Sequence, residues 1–424
     1  MQRRSVLGLL AGTALPLRGA YAAPAGDSNA TLTLLRPASD SDIRLTNAAV
    51  ERFRKRYPSV TVKPQYVNTN PWGEYITQFL NQVGSGQAPD LVMMATEGVS
   101  TLGSRSMVRD IMPYVNGDSE GRALFADIDP KLLDGLKYGD RLAYVPNEWN
   151  TTVVYYNTAM FEAAGLKPPA PDWNWDDFLT TAKALTKRDA AGKVSQYGYF
   201  IPGGQFALST WFLSNDTDRL TQDGHASNVR DPKFREALVF LRDLITKHGV
   251  SPTFARNDTG NAPFLARQVA MFAGTHPRVT EMIGAKFDTV DVQFVPRNRS
   301  RIAIAGVGGL GITAASKNPD LAWELLKELA GQANAEQLSR DMRSIPATRS
   351  AATNATFLSF PRNAQLFYGS AALARVLVQP PNFAQVEDIM MRHVEAYLTG
   401  NQDIDPTIDA LDQELSRAMA RVKW

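Results

Sequence analysis

Carboxylates, histidines, a glycine-rich run and tryptophans beside turns are the residues in this 424-residue sequence whose types and spacing could do chemistry. Glu97 follows the apolar run Leu91 to Met94, and Glu148, with Trp149 beside it, precedes another. Two carboxylates flanking a sugar are what a glycosidase needs, one to protonate the leaving oxygen and one to act as nucleophile or base. Single carboxylates near strand ends more often accept hydrogen bonds or lie solvated in loops, and that reading is preferred, with hydrolysis as the alternative. The four histidines, His225, His248, His276 and His393, contain no pair close enough in sequence to bring two ring nitrogens to one metal from one helix. Cysteine is absent, which removes disulfides, thiolate metal sites, a cysteine nucleophile and a lipidated cysteine. Neither metal nor cofactor is expected. Gly306-Val307-Gly308-Gly309-Leu310-Gly311 matches the dinucleotide fingerprint G-x-G-x-x-G. That fingerprint works only when a helix starts inside it and aims its N–H groups at a pyrophosphate, whereas the next helix signal here is Asn318-Pro319. A turn, or an approach of bare backbone to some other ligand, is expected instead. Trp72, Trp149 and Trp211 follow Asn70-Pro71, Pro146-Asn147 and Pro202-Gly203-Gly204. Each is either a platform for the apolar face of a sugar ring or a core anchor. Trp173, Trp175 and Trp323 are assigned to packing, Trp323 sharing a helical face with Leu326 and Leu329.

Positioning such residues takes regular elements, and their signals are plain in the first third of the chain. Thr31 to Leu35 reads as a strand, followed by a loop from Pro37 to Asp42 and a helix carrying Leu45, Ala49, Phe53 and Tyr57 on one face until Pro58 stops it. Val60 to Val67 is a second strand, Trp72 to Val83 a second helix, and Leu91 to Met94 a buried third strand. Alternation of this kind predicts βαβ units and a parallel sheet. Further on, Thr151 to Tyr156 and Arg301 to Ala305 read as strands. Thr158 to Ala164, Asp176 to Lys187, Lys233 to Lys247, Pro319 to Leu329 and 404–422 read as helices.

Bulk properties place the chain among globular proteins of about two domains, with 44% hydrophobic and 21% charged residues. The 45 Lys and Arg against 43 Asp and Glu lack the basic excess of a protein that grips nucleic acid through phosphates. The N-terminus reads as an export leader. Met1-Gln2-Arg3-Arg4-Ser5-Val6-Leu7 supplies the charged region, Gly8 to Leu17 the apolar one, and Ala20-Tyr21-Ala22 a small-x-small site with cleavage expected after Ala22. The paired arginines resemble the twin-arginine signal, with an ordinary secretory leader as the alternative. Removing residues 1–22 takes away three arginines and no acids, leaving 42 bases against 43 acids. No later apolar run is long enough to span a bilayer, so a soluble periplasmic protein without a lipid anchor is expected.

Several segments, in order, resemble the carbohydrate branch of the extracellular solute-binding proteins of ABC importers, the branch containing maltose-binding and glycerol-3-phosphate-binding proteins. They are Phe53-Arg54-Lys55-Arg56-Tyr57-Pro58 with Val60 and Val62; Gly86-Gln87-Ala88-Pro89-Asp90-Leu91-Val92; Gly139, Tyr144-Val145-Pro146 and Tyr155-Tyr156-Asn157; Val269-Ala270-Met271-Phe272; Gly308-Gly309-Leu310-Gly311-Ile312; and Ser316-Lys317-Asn318-Pro319 with Ala322-Trp323. The resemblance implies a two-lobed α/β periplasmic-binding-protein fold with interleaved lobes, 23–147 with 302–345 and 148–301 with 346–424, behind the leader 1–22. Hinge crossovers near 145–152, 298–304 and 343–348 would flank a central ligand cleft. It implies a monomer that captures a small solute by hinge closure and delivers it to ABC permease subunits, without catalysis, cofactor or nucleic acid. Carried over residue by residue, Asp42, Trp72 and Glu97 become first-lobe contacts and Trp149 and Asn150 lie at the crossover. Trp211 and His276 become second-lobe contacts, and Gly308, Gly309 and Arg343 return near the cleft. Gly274-Thr275-His276 departs from the Gly-Pro-Trp of many relatives. A monosaccharide, polyol or polyol phosphate therefore stands beside an oligosaccharide as ligand, with Arg343 able to pair an anionic group.

Overall fold

The run Leu32, Leu34 and Leu35 is buried in strand β1 (Ala30–Pro37), and Val60 and Val62 anchor β2 (Val60–Val67), parallel to it. The wholly buried β3 (Leu91–Ala95) pairs in parallel with the other edge of β1. Helices Asp40–Arg56 and Trp72–Gly84 make the crossovers that parallel neighbours require. The first begins three residues beyond the end of β1, so the expected loop shrinks: Ser39 accepts a hydrogen bond from the Asp42 backbone N–H at 3.1 Å and caps the helix. Asp40 and Asp42 in its first turn and Arg54, Lys55 and Arg56 in its last complement the helix dipole. Its buried face carries Leu45, Ala49, Val50 and Phe53. The computed structural model describes residues 21, 23–26, 28–68 and 72–422, so the arginine pair and the cleavage residue Ala22 lie outside the described residues.

A single 13-residue strand then joins the two halves of the molecule. This is β4 (Val145–Asn157), followed in the chain by β5 (Met271–Thr275), β6 (Val290–Phe294) and β7 (Ala303–Ile312). Val145 to Thr151 of β4 pair antiparallel with β7, whereas Thr152 to Asn157 pair antiparallel with β5 and β6. Because β7 also pairs with β3, the sheet runs β6-β4-β7-β3-β1-β2, with short β8 (Ile345–Pro346) against β4 and β9 (Ala374–Val376) against β7. β1 pairs in parallel with β2 and β3, and the short β9 in parallel with β7; the strands added around β4 are antiparallel to it. The glycine run 306–311, expected as a turn, lies within β7.

Two large apolar clusters pack on this sheet, one running along both of its ends and one confined to the second lobe. The first lobe buries Phe53, Phe79, Leu91, Val92 and Trp323. The second buries Trp175, Phe178, Trp211, Phe234 and Leu241, together with Val386, Ile389 and Met390 of the Phe383–Leu398 helix. Second-lobe helices start on side-chain caps: Asn174 and Asp177 form a reciprocal capping box for Trp175–Leu185, and Asp231 caps Pro232–Thr246. No helix among the described residues is long and apolar enough to cross a membrane.

The first lobe also contains a buried ion network. Lys327, 10% exposed, reaches Asp118 at 2.6 Å, Glu120 at 2.8 Å and Glu324 at 3.1 Å. Trp323 donates to Asp118 at 2.8 Å; the Tyr21 hydroxyl donates to the fully buried Glu324 at 2.8 Å in the full chain, a contact that cleavage after Ala22 would remove. Removing the ammonium strands carboxylates in low dielectric. Lys327→Met is expected to lower stability by about 3–5 kcal/mol in urea unfolding, and Lys327→Arg much less; equal losses would show that volume rather than charge matters.

Candidate functional site

The cleft is built from the ends of elements, starting with the N-terminus of the Asp40–Arg56 helix. Asp42, 1% exposed, receives Arg36 at 3.4 Å and Arg343 at 3.1 Å on one oxygen and the Ser39 hydroxyl on the other. Arg343 also bonds Glu148 of β4. Burial works against the Arg343 charge, yet the carboxylates of Glu148 and Asp42 hold its guanidinium above its ordinary range. Two guanidinium groups thus meet two carboxylates, and the cluster is close to neutral. Beside it, Asn150 donates to the Ser344 hydroxyl at 3.2 Å, and Ser344 donates to the Trp149 carbonyl at 3.1 Å. Arg36 Nη1, Arg343 Nε, Asn147 Oδ1 and Asn150 Oδ1 are buried without a partner, so this wall still has polar groups to offer.

The lobes meet next to this cluster. A Cβ on Gly73, at the start of the Trp72–Gly84 helix, would stand 3.5 Å from Ala384 of the second lobe. The Thr101 hydroxyl donates to the Pro381 carbonyl at 3.0 Å. Phe383 joins the cluster that runs along both ends of the sheet, while Val386 in the next turn of its helix belongs to the second-lobe cluster. Trp72 is half-buried, edge-on to Tyr75 at 5.4 Å. Opposite the hinge strand, the ring of Phe206 comes within 3.0 Å of where a Gly306 Cβ would sit. Glu97 opens the Thr96–Gly103 helix directly after β3, and its Oε2 is buried without a partner. Burial pushes this carboxyl up to about 7; its own backbone N–H opposes the rise and the Glu387 carboxylate adds to it. Among the described residues no group of three or more His, Asp or Glu side chains could hold a metal ion. Two surface cavities, of about 420 and 270 Å³ along Arg56, Glu120 and Lys327, share no residue with the cleft.

Residues 39–336 match the family described as bacterial extracellular solute-binding protein. The chain belongs to that family. A Brucella abortus protein named only as a binding protein is 24% identical over 96% of both chains. The galactooligosaccharide-binding protein of Bacillus subtilis is 22% identical over 88% of this chain and 86% of its own. Among solved structures, an ABC substrate-binding protein from Listeria monocytogenes in complex with cycloalternan has a TM-score of 0.79 at 19% identity, covering 93% of this chain and 100% of that one. The fold is therefore the two-lobed one of the solute-binding proteins.

Within this solute-binding protein, the expected contacts separate into two groups. Asp42 and Arg343 come together directly, with Asn150 beside them through Ser344, and Trp72 and Glu97 lie at the starts of two first-lobe helices. The others are enclosed by neighbouring side chains, although Trp149 Nε1 and both ring nitrogens of His276 are buried without a hydrogen-bond partner. Trp211 is fully buried among Trp175, Phe178, Tyr199 and Phe240 and donates to the Tyr199 hydroxyl at 3.2 Å. His276 is fully buried, stacked on Phe357 at 4.9 Å and edge-on to Phe367 at 4.6 Å; burial holds it neutral, its pKa near 3. Trp149, 1% exposed, packs edge-on to Tyr368. Gly308 and Gly309 leave room for Met93, Leu136 and Tyr144 to pack against the strand. Arg343 is committed to two carboxylates and so is not a free partner for an anion. Glu148 is held by that same guanidinium, and the carboxylate that acts on Glu97 is Glu387, which does not support a Glu97–Glu148 hydrolytic pair. Sequence reasoning missed Phe206, Arg36 and Glu387. A charge ending the buried run of β1 was the signal for Arg36, and Gly203-Gly204 before a helix was the signal for Phe206; Glu387 had none. At Gly309 a Cβ would lie 2.7 Å from Leu136 Cδ1 and 2.8 Å from Tyr144 Cβ. Gly309→Ala should therefore cost about 1–3 kcal/mol in denaturant unfolding, while His276→Phe should leave ligand affinity unchanged; a loss on the latter would put the imidazole in the cleft.

Proposed function

We propose that the protein captures a neutral sugar or oligosaccharide between its lobes and hands it to the membrane subunits of an ABC importer. The observation that carries this reading is the self-neutralised Arg36–Asp42–Arg343–Glu148 cluster, together with the half-buried ring of Trp72 and the ring of Phe206 over Gly306, the strand partner of Asn150. Rings match the apolar C–H faces of a pyranose, and fixed polar groups match its hydroxyls. A polyol phosphate would need surplus positive charge, which the cluster does not have. The named ligands of the relatives, galactooligosaccharide and cycloalternan, support the same class.

In this reading Asp42, Trp72, Glu97, Asn150 and Phe206 touch the ligand, and Arg343 sets the base of the cleft. The lobes are 23–147 with 302–345 and 148–301 with 346–424, hinged where β4 passes from one to the other. Ligand contacts to both lobes favour the closed form, which the permease reads. No bond in the solute is made or broken. The chain works as a periplasmic monomer without cofactor or nucleic acid, exported by its paired-arginine leader and cleaved after Ala22.

A thermal-shift panel of galacto-oligosaccharides, maltotriose, monosaccharides and glycerol 3-phosphate tests the class. A sugar at a hundred times its Kd is expected to add about 2.7 kcal/mol, with Trp72→Ala and Phe206→Ala each weakening binding about tenfold or more. Stabilisation by glycerol 3-phosphate alone would contradict the neutral-sugar reading.

A further inference from the structure

Tyr21, which directly precedes the expected cleavage residue Ala22, is seated in the first lobe. Its hydroxyl donates to Glu324 at 2.8 Å and lies 3.2 Å from the Asp320 carbonyl, both on the Pro319–Ala330 helix. Its ring meets Tyr114 edge-on at 5.7 Å, and Tyr114 stacks in turn on Trp323 at 5.6 Å, so Tyr21 extends the aromatic packing of the lobe by one ring. Gly117 ends the Met112–Gly117 helix against it. A Cβ there would stand 2.7 Å from Tyr21 Cβ and 2.8 Å from its backbone nitrogen, and its three nearest atoms would all belong to Tyr21. The seat also calls for a donor. Among the described residues Arg52, Arg56 and Lys327 face four carboxylates, Asp118, Glu120, Glu324 and Glu328, and Glu324 is fully buried. A neutral hydroxyl meets that excess without bringing another charge out of water. Burial, and then the Glu324 carboxylate, hold the Tyr21 hydroxyl well above its ordinary range, so it stays a donor. Across the expected scissile bond, Ala23 lines the cavity of about 270 Å³ with Tyr21, Arg56, Asp118 and Lys327.

We propose that Tyr21 docks the end of the leader onto the folded first lobe, so that removal of the leader from a folded precursor is gated by release of this tyrosine from its seat. Tyr21 is the middle residue of the small-x-small triplet Ala20-Tyr21-Ala22 that a leader peptidase must take into its groove. Its side chain cannot enter that groove while its hydroxyl is on Glu324 and its ring on Tyr114. Only the released fraction is competent for cleavage, and the rate falls by that fraction. One hydrogen bond to a buried carboxylate, with a ring contact beside it, holds the released fraction to about a tenth or less. Cleavage itself is ordinary hydrolysis: one water is consumed, and the Ala22–Ala23 peptide bond gives a carboxylate on Ala22 and an ammonium on Ala23. Once the leader is gone, Glu324 has lost its neutral donor and Gly117 no longer has a side chain to admit.

The inference rests on the reading of residues 1–22 as a cleaved leader, and its test separates the two. The folded full-length chain is incubated with purified leader peptidase, and the product is timed and identified by mass spectrometry. Gly117→Ala leaves every leader residue in place while displacing Tyr21, and it is expected to be cut about tenfold or more faster than the wild type. Tyr21→Phe, which keeps the ring and loses the donor, is expected to fall between them, with circular dichroism confirming that each variant is folded. Equal rates for the wild type and Gly117→Ala overturn the inference. Thermal unfolding of the uncut chain gives a second arm that needs no peptidase. Gly117→Ala and Tyr21→Ala are each expected to lower the midpoint, and the double variant to lie no lower than the weaker single one, because both remove the same contact; additive losses overturn the docking. A product that starts elsewhere than Ala23 counts against the leader reading, and the docking is then decided by the unfolding cycle alone, standing if the losses are non-additive and falling if they add.

Discussion

The bridge from Asp42 through Arg343 to Glu148 is the interaction on which the rest of the cleft depends. It ties the start of the Asp40–Arg56 helix to the middle of β4, the one strand that belongs to both lobes. A single buried charge there would be untenable, whereas four charges that cancel are held by mutual contacts and leave several polar atoms unspent. The base of the cleft therefore has fixed dipoles without net charge, which suits a ligand rich in hydroxyls. The same neutrality explains why Arg343, alone in a sequence an attractive anion partner, is not one in the fold.

The glycines of β7 have a packing role within the same arrangement. Gly308 admits Met93 and the Glu148 stem, and Gly309 and Gly311 admit Leu136 and Tyr144. Side chains there would push β4, β7 and β3 apart and move Glu148 off Arg343. A motif that looks like phosphate chemistry is thus a device for close packing of the hinge sheet, and the test of the fingerprint was always whether a helix began inside it.

Local pattern made much of the architecture legible. The first three strands and their helices follow from β-branched runs, four-residue apolar spacing, Ser39 as a cap and Pro58 as a stop. Asp42, Trp72 and Glu97 could be placed near helix starts from local pattern, whereas Asn150 and Arg343 came only by carry-over from the family. What was not legible was burial decided at long range. Trp211 and His276 stand beside turns in the sequence, but aromatic neighbours from other segments, Phe240 for one and Phe357 and Phe367 for the other, enclose them. Phe206, five residues before Trp211 on the same helix, is the ring left facing the hinge. Glu387 comes to the interface only because the Phe383–Leu398 helix returns to it after nearly the whole chain has been laid down.

The central claim is that a sugar closes two lobes about β4 and leaves unaltered. Small-angle X-ray scattering of the full chain, with the saccharide recovered afterwards and analysed, addresses both halves at once. A smaller radius of gyration in the presence of a stabilising oligosaccharide, with that oligosaccharide recovered intact, is the predicted result. A radius that does not change on binding, or a sugar recovered as shorter products, would contradict it.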